Sequence, residues 1–308
     1  MLMNMIMAVC MYPTMLIVYY VLRNEMTSKS NRIGKNKSVF GVAMTAGQMA
    51  DPEISELSED FLRQLKTGFI VMAIFPLITF VIPWFSISFT LWMMWIVLFI
   101  VVLGIPYAKA HKKTRQIKAD RGWYTDEVSE DSSENDDHWI LGMFYYNPHD
   151  KHLMVKPRLG TGSTVNMARP LGKICCAFII VAILSIPAMC IWLIAEEFVP
   201  IHLTIEDNAL KANHILNNYT IPINHIEELE VLDKLPRMSR TNGTNMDTLM
   251  KGNFSNKTYG NFKVFLNPQN TIFLKIKAAN TLYILSGHDD LETQTIYTHL
   301  RSHLPTSQ

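Results

Sequence analysis

A long stretch without charge decides what this chain can fold into. Residues 67–108 form 42 residues without one Asp, Glu, Lys or Arg. As one helix they would be about 63 Å long, roughly twice the ~30 Å hydrocarbon core of a bilayer. We therefore expect this stretch to fold back as two membrane spans, with the turn between them marked by Pro83, Trp84, Ser86 and Ser88.

Two further apolar segments add one span each. Residues 1–22 and 174–195 carry no charged side chain. No basic residue precedes the first apolar segment and it is long enough to span, so we interpret residues 3–22 as a transmembrane helix rather than a cleaved signal. The sequence thus predicts four transmembrane helices in a multi-pass membrane protein.

The flanking charges predict the orientation of the spans. Basic residues follow both the first span and the hairpin: Arg23, Lys29, Arg32, Lys35 and Lys37, then Lys109, Lys112, Lys113, Arg115 and Lys118. Because cytoplasmic loops are enriched in Lys and Arg, we expect the N-terminus outside and residues 109–171 in the cytoplasm. The fourth span is followed by Glu196 and Glu197, and no Lys or Arg appears before Lys211. This pattern predicts an extracytoplasmic C-terminal domain.

Several classes of function find no support in the sequence. A net charge of +1 provides no basic field, so no nucleic-acid partner is expected. The chain has no His-Glu-x-x-His, no Gly-x-Ser-x-Gly and no P-loop ending, so we predict no enzyme and no cofactor. His149 and His152 are too few ligands for a zinc site, and all four cysteines lie in apolar segments, so no metal is predicted.

The loop between the first two spans contains a helix start. Asp51 provides a cap, Pro52 occupies the first turn, and Glu53 places an acid at the positive end of the helix dipole. Apolar residues then recur on one face at helical spacing: Ile54, Leu57, Phe61, Leu62 and Leu65. Two interpretations remain open, a helix that lies on the membrane surface and a cytoplasmic extension of the second span.

From residue 199 onward the pattern changes to short segments typical of β-strands. About seven such segments are separated by turn residues: 202–206, 209–215, 219–223, 226–232, 261–266, 271–278 and 281–286. Residues 234–260 look like an insertion rich in Asn, Gly and Lys. A helix starting at Asp289, with Glu292 three residues later, closes the chain. The predicted fold class is α+β, with about four transmembrane helices and a pleckstrin-homology-like seven-stranded β-barrel capped by one helix.

These patterns divide the chain into five parts. They are a three-helix membrane region 1–108 with a cytoplasmic loop 23–66, a charged linker 109–138, a juxtamembrane module 139–171, the fourth transmembrane helix 172–198, and the pleckstrin-homology-like domain 199–308. The linker changes from basic to strongly acidic. The module is rich in aromatics, Gly and Pro with little periodicity, so we expect it to be ordered but irregular.

A dense motif runs through the juxtamembrane module. Its residues are Trp139, Gly142, Tyr145, Tyr146, Asn147, Pro148, Lys156, Arg158, Gly160, Gly162, Asn166, Arg169 and Pro170. This pattern resembles the bacterial domain-of-unknown-function 5808 family, although His149, Lys151 and His152 depart from the acidic, Pro-containing stretch typical there. The resemblance implies a bacterial membrane protein and implies function only by association.

Two further resemblances concern the ends of the chain. The segments that begin at Leu229, Arg240 and Phe262 resemble a bacterial pleckstrin-homology-like domain. The N-terminal hairpin is loosely similar to sporulation-delay toxin immunity proteins, small membrane proteins that protect against a membrane-active peptide. Together the resemblances imply a location in the bacterial plasma membrane and a connection to envelope stress or antimicrobial-peptide immunity.

The predicted function is binding or sensing at the membrane without catalysis. The expected partners are the lipid bilayer and a protein or peptide ligand. The candidate contact surface consists of basic residues of the insertion, namely Lys234, Arg237, Arg240, Lys251 and Lys257. The alternative for this segment is a disordered loop that only tolerates insertion. The alternative function is a transporter or channel component, which would require a homo-oligomer because no span carries an Asp, Glu, His, Lys or Arg side chain to line a path.

Overall fold

The fold combines long apolar helices with a C-terminal region of β-sheet. The computed structural model describes residues 2–27, 37–123, 135–158, 162–215 and 217–304. Four helices are long and apolar enough to cross a membrane, which fits the predicted multi-pass membrane protein. The chain divides into two compact units, a first unit of residues 1–81 with 90–187 and a second unit of residues 82–89 with 188–308.

The long helices account for most of the first unit. In chain order the helices are α1 (Leu2–Thr27), a short α2 (Ala46–Met49), α3 (Pro52–Ile74), α4 (Phe85–Asp120) and α5 (Pro170–Phe198). A 3-10 helix, Phe75–Val81, continues α3, and the non-helical residues 82–84 lead into α4. The predicted turn is therefore shorter than its sequence markers, because Ser86 and Ser88 already belong to α4.

Helix α3 begins where the capping signal predicted. The Asp51 carboxylate accepts a hydrogen bond from the backbone N–H of Glu53 at 2.9 Å, and Pro52 occupies the first helical position. The helix continues without a break into the apolar stretch, and Ile54 and Phe61 are buried in the first unit. Of the two interpretations left open, this continuity agrees with an extension of the second span.

The membrane helices pack around large side chains. Met15 of α1, Met72 of α3, and Trp92 and Trp95 of α4 form one buried cluster. The Trp95 indole donates a hydrogen bond to the Met72 carbonyl at 2.7 Å. The position of Trp92 near the hairpin turn is typical of an outer aromatic belt, yet its ring is fully buried. Trp92 meets Tyr12 edge-on and packs between helices, so it does not occupy the interfacial position typical of a belt residue.

Short strands complete the first unit. They form three two-stranded sheets, which are β1 (Lys37–Val39) with β2 (Val42–Met44), β3 (Trp139–Ile140) with β4 (Phe144–Tyr145), and β5 (Met154–Val155) with β6 (Thr164–Val165). A 3-10 helix, Asp136–His138, leads into β3. Helix α4 extends to Asp120, into the segment predicted as a charged linker, because its Lys, Arg, Gln and Ala residues favour helix.

The described part of the second unit contains an antiparallel sheet of three strands and a mixed sheet of six strands. A three-stranded sheet is formed by β7 (His202–Glu206), β8 (Ala209–His214) and β9 (Asn217–Pro222). After a 3-10 helix, Ile223–His225, the remaining strands are β10 (Ile226–Leu232), β11 (Ser239–Asn245), β12 (Met250–Asn256), β13 (Gly260–Leu266), β14 (Phe273–Ala278) and β15 (Thr281–Leu285). They pair in the order β10-β14-β15-β13-β12-β11, with β13 and β15 parallel.

The seven-stranded barrel was a wrong prediction. Within the described part of the second unit there are nine strands, three in one sheet and six in the other, and the six-stranded sheet is not closed because β10 and β11 remain its edges. The difference arises in residues 234–260, expected as an insertion, which form the hairpin of β11 and β12. Met250 and Phe254 of β12 are buried in the second unit. These two apolar side chains, which Asn, Gly and Lys separate in the sequence, give β12 a buried face and favour a strand there.

The six-stranded sheet is apolar on both faces. Phe265, Leu274 and Leu285 belong to one buried cluster, together with residues of the three-stranded sheet and α6 (Asp290–His303). The neighbouring residues Val264 and Ile284 belong to the other cluster, as the alternation of a strand requires. The closing helix starts as predicted, since the Asp289 carboxylate accepts a hydrogen bond from the Glu292 N–H at 2.8 Å.

Candidate functional site

A cavity of about 240 Å³ lies in the second unit, between the last turns of α5 and the sheets. Its walls come from α5, from β9 and from the hairpin of β11 and β12, with one residue of β13. The lining residues are Trp192, Leu193, Glu196, Asn217, Tyr219, Gly243, Thr244, Met246, Lys251, Gly252 and Phe265. The cavity is smaller than the roughly 300–1,000 Å³ of small-molecule pockets, so its size suits one or two side chains of a larger ligand.

The polar wall of the cavity is a buried ion pair. The Lys251 ammonium lies 2.7 Å from Oε2 of Glu196, and the side chains are 8% and 6% exposed. Removing two charges from water is favourable only where their geometry and further hydrogen bonds compensate for the lost hydration. Among the described residues, Glu196 Oε2 has no hydrogen-bond partner beyond this ion pair. The buried carboxylate therefore retains capacity for a further hydrogen bond.

His214 completes this group, which we name the Glu196 cluster (Glu196, Lys251 and His214). Nδ1 of His214 lies 3.2 Å from the Lys251 ammonium, and Nε2 lies 3.1 Å from the Val199 carbonyl. An ammonium only donates and a carbonyl only accepts, so Nδ1 is the acceptor and Nε2 carries the proton. The imidazole thus connects the end of α5 to β12.

The surroundings of His214 keep it neutral. Burial, together with the positive charge of Lys251, lowers the pKa of His214, against the opposing effect of Glu196. The ring also meets Phe265 edge-on, with 6.3 Å between ring centroids. Because protonation would place a second cation against Lys251, the hydrogen-bond pattern of the cluster requires the neutral imidazole.

The residue that follows Glu196 has a separate role. The Glu197 carboxylate accepts hydrogen bonds from the backbone N–H groups of Phe85 and Ser86, at 3.1 and 2.6 Å. These N–H groups lie at the start of α4, where the helix dipole favours a negative charge. Thr248 donates to the Glu197 carbonyl at 2.6 Å. The two consecutive acids therefore serve different partners, one in the sheets and one at the start of α4.

The comparisons with known proteins concern the sheets around this cavity. Residues 201–296 match the family model described as Bacterial PH domain. No curated protein and no solved structure matches the chain. The match supports the predicted PH-like domain, whereas the resemblances to the domain-of-unknown-function 5808 family and to toxin immunity proteins stay predictions. Trp192, Leu193 and Glu196 precede the matched range, so the cavity joins the PH-like domain to α5.

The structure separates the five predicted contact residues into two kinds. Four of them are exposed: Lys234 and Arg237 between β10 and β11, Arg240 on β11, and Lys257 after β12. Lys251 is 7% exposed and belongs to the Glu196 cluster. Only Lys251 lines the cavity, and the binding role of the other four stays a prediction.

The juxtamembrane motif organises its own backbone. Its buried members are Trp139, Gly142, Tyr145, Asn147 and Asn166, its partly buried members are Arg158 and Arg169, and its exposed members are Tyr146, Pro148, Lys156, Gly162 and Pro170. Gly160 lies outside the described residues. The Asn166 side chain donates to the Asn147 carbonyl at 2.9 Å and accepts from the Asn147 N–H at 3.1 Å. These bonds tie the β4 and β6 segments together, which is a structural role.

Sequence reasoning missed most of the cavity. Glu196 was noted only as an acid after a span, and His214, Trp192 and Tyr219 were not singled out. The available signal was a pair of acids directly after an apolar helix, but this signal does not identify their partners, which lie on β12 and at the start of α4. Among the described residues, no three His, Cys, Asp or Glu side chains are placed to hold a metal ion.

Proposed function

We propose that the protein is a non-enzymatic, membrane-anchored binding and sensing protein whose PH-like domain takes an anchor side chain of a peptide or protein ligand in the cavity beside α5. The observation that carries this proposal is the composition of the cavity wall. Trp192 and Glu196 belong to the end of a membrane-spanning helix, whereas Tyr219 and Lys251 belong to the PH-like domain. A ligand there contacts both elements at once.

The chemistry of the wall limits the anchor side chain. Tyr219 and Phe265 meet edge-on at 5.3 Å and provide an apolar surface. Glu196 provides a buried carboxylate with capacity for a further hydrogen bond. An anchor with an apolar body and a donor at its tip fits this combination, as Tyr, Trp, Arg or Lys would. Such side chains dominate the binding energy of many protein interfaces.

Sensing follows from the position of the ion pair. A ligand donor that engages Glu196 competes with the Lys251 ammonium, and Lys251 is shared with His214. Binding therefore alters the contacts that hold the end of α5 to β12. Because a ligand shifts an equilibrium only by its differential affinity for two states, rearrangement of this one ion pair is the proposed signal.

Photo-crosslinking in cells tests the cavity. A photoreactive amino acid at Thr244, on the cavity wall, is expected to yield a discrete adduct in the wild-type background. The adduct should disappear in Glu196→Gln, which removes the carboxylate that the ligand donor engages, and in Trp192→Ala. It should persist in Lys275→Met, which removes a lysine paired with Glu230 elsewhere on the sheet. Equal adducts from Thr244 and from exposed Gln269, or no loss in Glu196→Gln, would reject the proposed site.

Cysteine labelling tests the side of the membrane on which the ligand is met. Gln269 is exposed in the turn between β13 and β14. A Gln269→Cys variant without the four native cysteines should react with a membrane-impermeant maleimide in intact cells. Protection until lysis would place the PH-like domain in the cytoplasm, which contradicts the extracytoplasmic orientation and leaves the cavity to a cytoplasmic partner.

A further inference from the structure

A groove of about 810 Å³ runs along α4 in the first unit, where the apolar part of the helix ends. One wall is a face of α4, and the other wall is the turn that leads into β3 and the tip of the β3–β4 hairpin. The lining residues are Ile105, Ala108, Lys109, His111, Lys112, Arg115, Asp137, Trp139, Ile140 and Leu141. None of these residues contributes to the cavity of the PH-like domain.

One part of the groove is cationic. Arg115 is paired with Asp137 at 2.8 Å. Lys109 and Lys112 are exposed, and no ion pair engages either of them within the described parts of the chain. Two lysines one helical turn apart on one wall thus present positive charge at the end of a membrane span.

The other part of the groove is apolar and exposed. Ile105 is 51% exposed, and Ile140 and Leu141 of the hairpin tip are 52% and 38% exposed. Leu141 has a φ of 51°, a left-handed conformation that a leucine seldom adopts. A strained backbone that presents an apolar side chain outward is a feature found at ligand-binding positions.

The hairpin tip is held firmly against the rest of the first unit. Gly142 and Gly41 lie backbone to backbone, so close that a Cβ on Gly142 would come within 2.5 Å of the Gly41 Cα. The Arg158 guanidinium stacks over the Trp139 ring at 5.1 Å. These contacts fix the apolar wall, which therefore forms one side of a preformed groove.

We propose that this groove binds an anionic phospholipid, with its phosphate at Lys109 and Lys112 and an acyl chain along Ile105 and the tip residues. Ile105 lies in the apolar span and Lys109 follows one turn later, so the groove is at the level where hydrocarbon gives way to headgroups. Basic pockets beside the ends of transmembrane helices suit anionic headgroups. The exposed apolar tip complements the chain of the same lipid.

The test uses the full-length protein in detergent with added lipid. Native mass spectrometry is used to compare retention of phosphatidylglycerol and phosphatidylcholine with matched acyl chains. Wild type should prefer phosphatidylglycerol, and Lys109→Gln with Lys112→Gln should lower that preference by about tenfold. The control, Lys113→Gln with Lys151→Gln, removes two exposed lysines that do not line the groove and should retain the preference.

A second variant examines the acyl chain. Leu141→Asn introduces a residue that tolerates the left-handed conformation and removes the apolar side chain, so retention of both lipids should fall. The proposal is overturned if wild type retains both lipids equally, or if the control loses the preference as fully as the groove variant. It is also overturned if inorganic phosphate displaces phosphatidylglycerol, because the site would then take a free anion rather than a lipid.

Discussion

In the part of the chain that the structure describes, two largely buried groups of opposite charges differ in whether every charge is satisfied. In the first unit, Asp136 accepts hydrogen bonds from Lys118 at 2.6 Å, from the Ala43 N–H at 3.1 Å and from Arg158. We name Asp136, Lys118 and Arg158 the Asp136 cluster. In the second unit, the Glu196 cluster leaves a carboxylate oxygen with only one partner beside a cavity.

A structural ion pair and a candidate site differ in whether their charged groups retain capacity for a further partner. The cations of the Asp136 cluster also bond to backbone, since Lys118 donates to the Ala43 carbonyl and Arg158 to the Gly41 carbonyl. This cluster holds the β1–β2 hairpin against the juxtamembrane module, and each of its charged groups has more than one protein partner. The Glu196 cluster retains such capacity, and a partly satisfied polar group beside a cavity is a reason to expect a ligand.

We expect the largest loss of stability when the Asp136 cluster is broken. Asp136→Asn removes the carboxylate and leaves the charges of Lys118 and Arg158 close together without compensation. We expect the free energy of unfolding to fall by about 3–5 kcal/mol, as for other broken buried ion pairs. Thermal unfolding of the purified protein measures this loss.

A neighbouring acid provides the matched control. Asp137→Asn removes an exposed partner of Arg115, whose side chain is itself 43% exposed, and should change stability by about 1 kcal/mol or less. If the two variants are equally stable, the Asp136 cluster does not hold the module together.

We expect a smaller loss of stability when the Glu196 cluster is broken. Lys251→Met leaves Glu196 without its cation, but the shorter side chain leaves room for water beside a cavity that Glu196 already lines, so we expect a loss of about 1–3 kcal/mol. The double variant Glu196→Gln with Lys251→Met removes both charges and should recover most of the stability. Recovery of stability in the double variant without the Thr244 adduct would separate the binding role of Glu196 from its structural one.

The two clusters are expected to lose stability in different ranges of acid pH. Because the pKa of native His214 is lowered from 6.5, the unfolded chain binds a proton first as the pH falls. The stability from this group is complete above about pH 6.5 and is lost as the pH falls through the native pKa, with a slope of at most about 1.4 kcal/mol per pH unit. His214→Gln should flatten this dependence between pH 7 and 5, and His288→Gln, an exposed control, should not. An unchanged slope in His214→Gln would contradict the neutral imidazole.

The Asp136 cluster responds in a different pH range. Burial by itself would raise the pKa of Asp136, but the hydrogen bond from Lys118 and the charge of Arg158 outweigh it and lower the pKa. Stability from Asp136 is therefore present above about pH 3.8 and is lost only below that value. Mild acid thus tests the Glu196 cluster without disturbing the carboxylate of the other.

The membrane helices and their caps could be predicted from local sequence. A charge-free stretch specifies spans by length alone, and the carboxylates of Asp51 and Asp289 make the predicted bonds to the starts of α3 and α6. Most strand segments of the C-terminal domain were also visible, because their apolar alternation is a local pattern. The hairpin of β11 and β12 was missed because Asn and Gly obscure the inward positions of Met250 and Phe254.

The candidate site could not be predicted in the same way. Glu196 lies in the last turn of α5, His214 ends a strand of one sheet, and Lys251 lies on a strand of the other. No spacing connects them, since only the pairing of the sheets and their contact with α5 brings the three side chains together. Lys251 was singled out for its positive charge, but this charge is buried in an ion pair with Glu196 and is not exposed on the surface.

The smallest effects on stability are expected at the four exposed cations of the predicted contact surface. Lys234→Gln, Arg237→Gln, Arg240→Gln and Lys257→Gln should each change the free energy of unfolding by about 0.5 kcal/mol or less, because none is buried or ion-paired like Lys251. If the surface guides an acidic ligand toward the cavity, their combined loss should slow association and weaken its salt dependence. The yield of the Thr244 adduct at two salt concentrations measures this. A single one of these changes that destabilises the protein as much as Lys251→Met would show that the division between surface and buried cations is wrong.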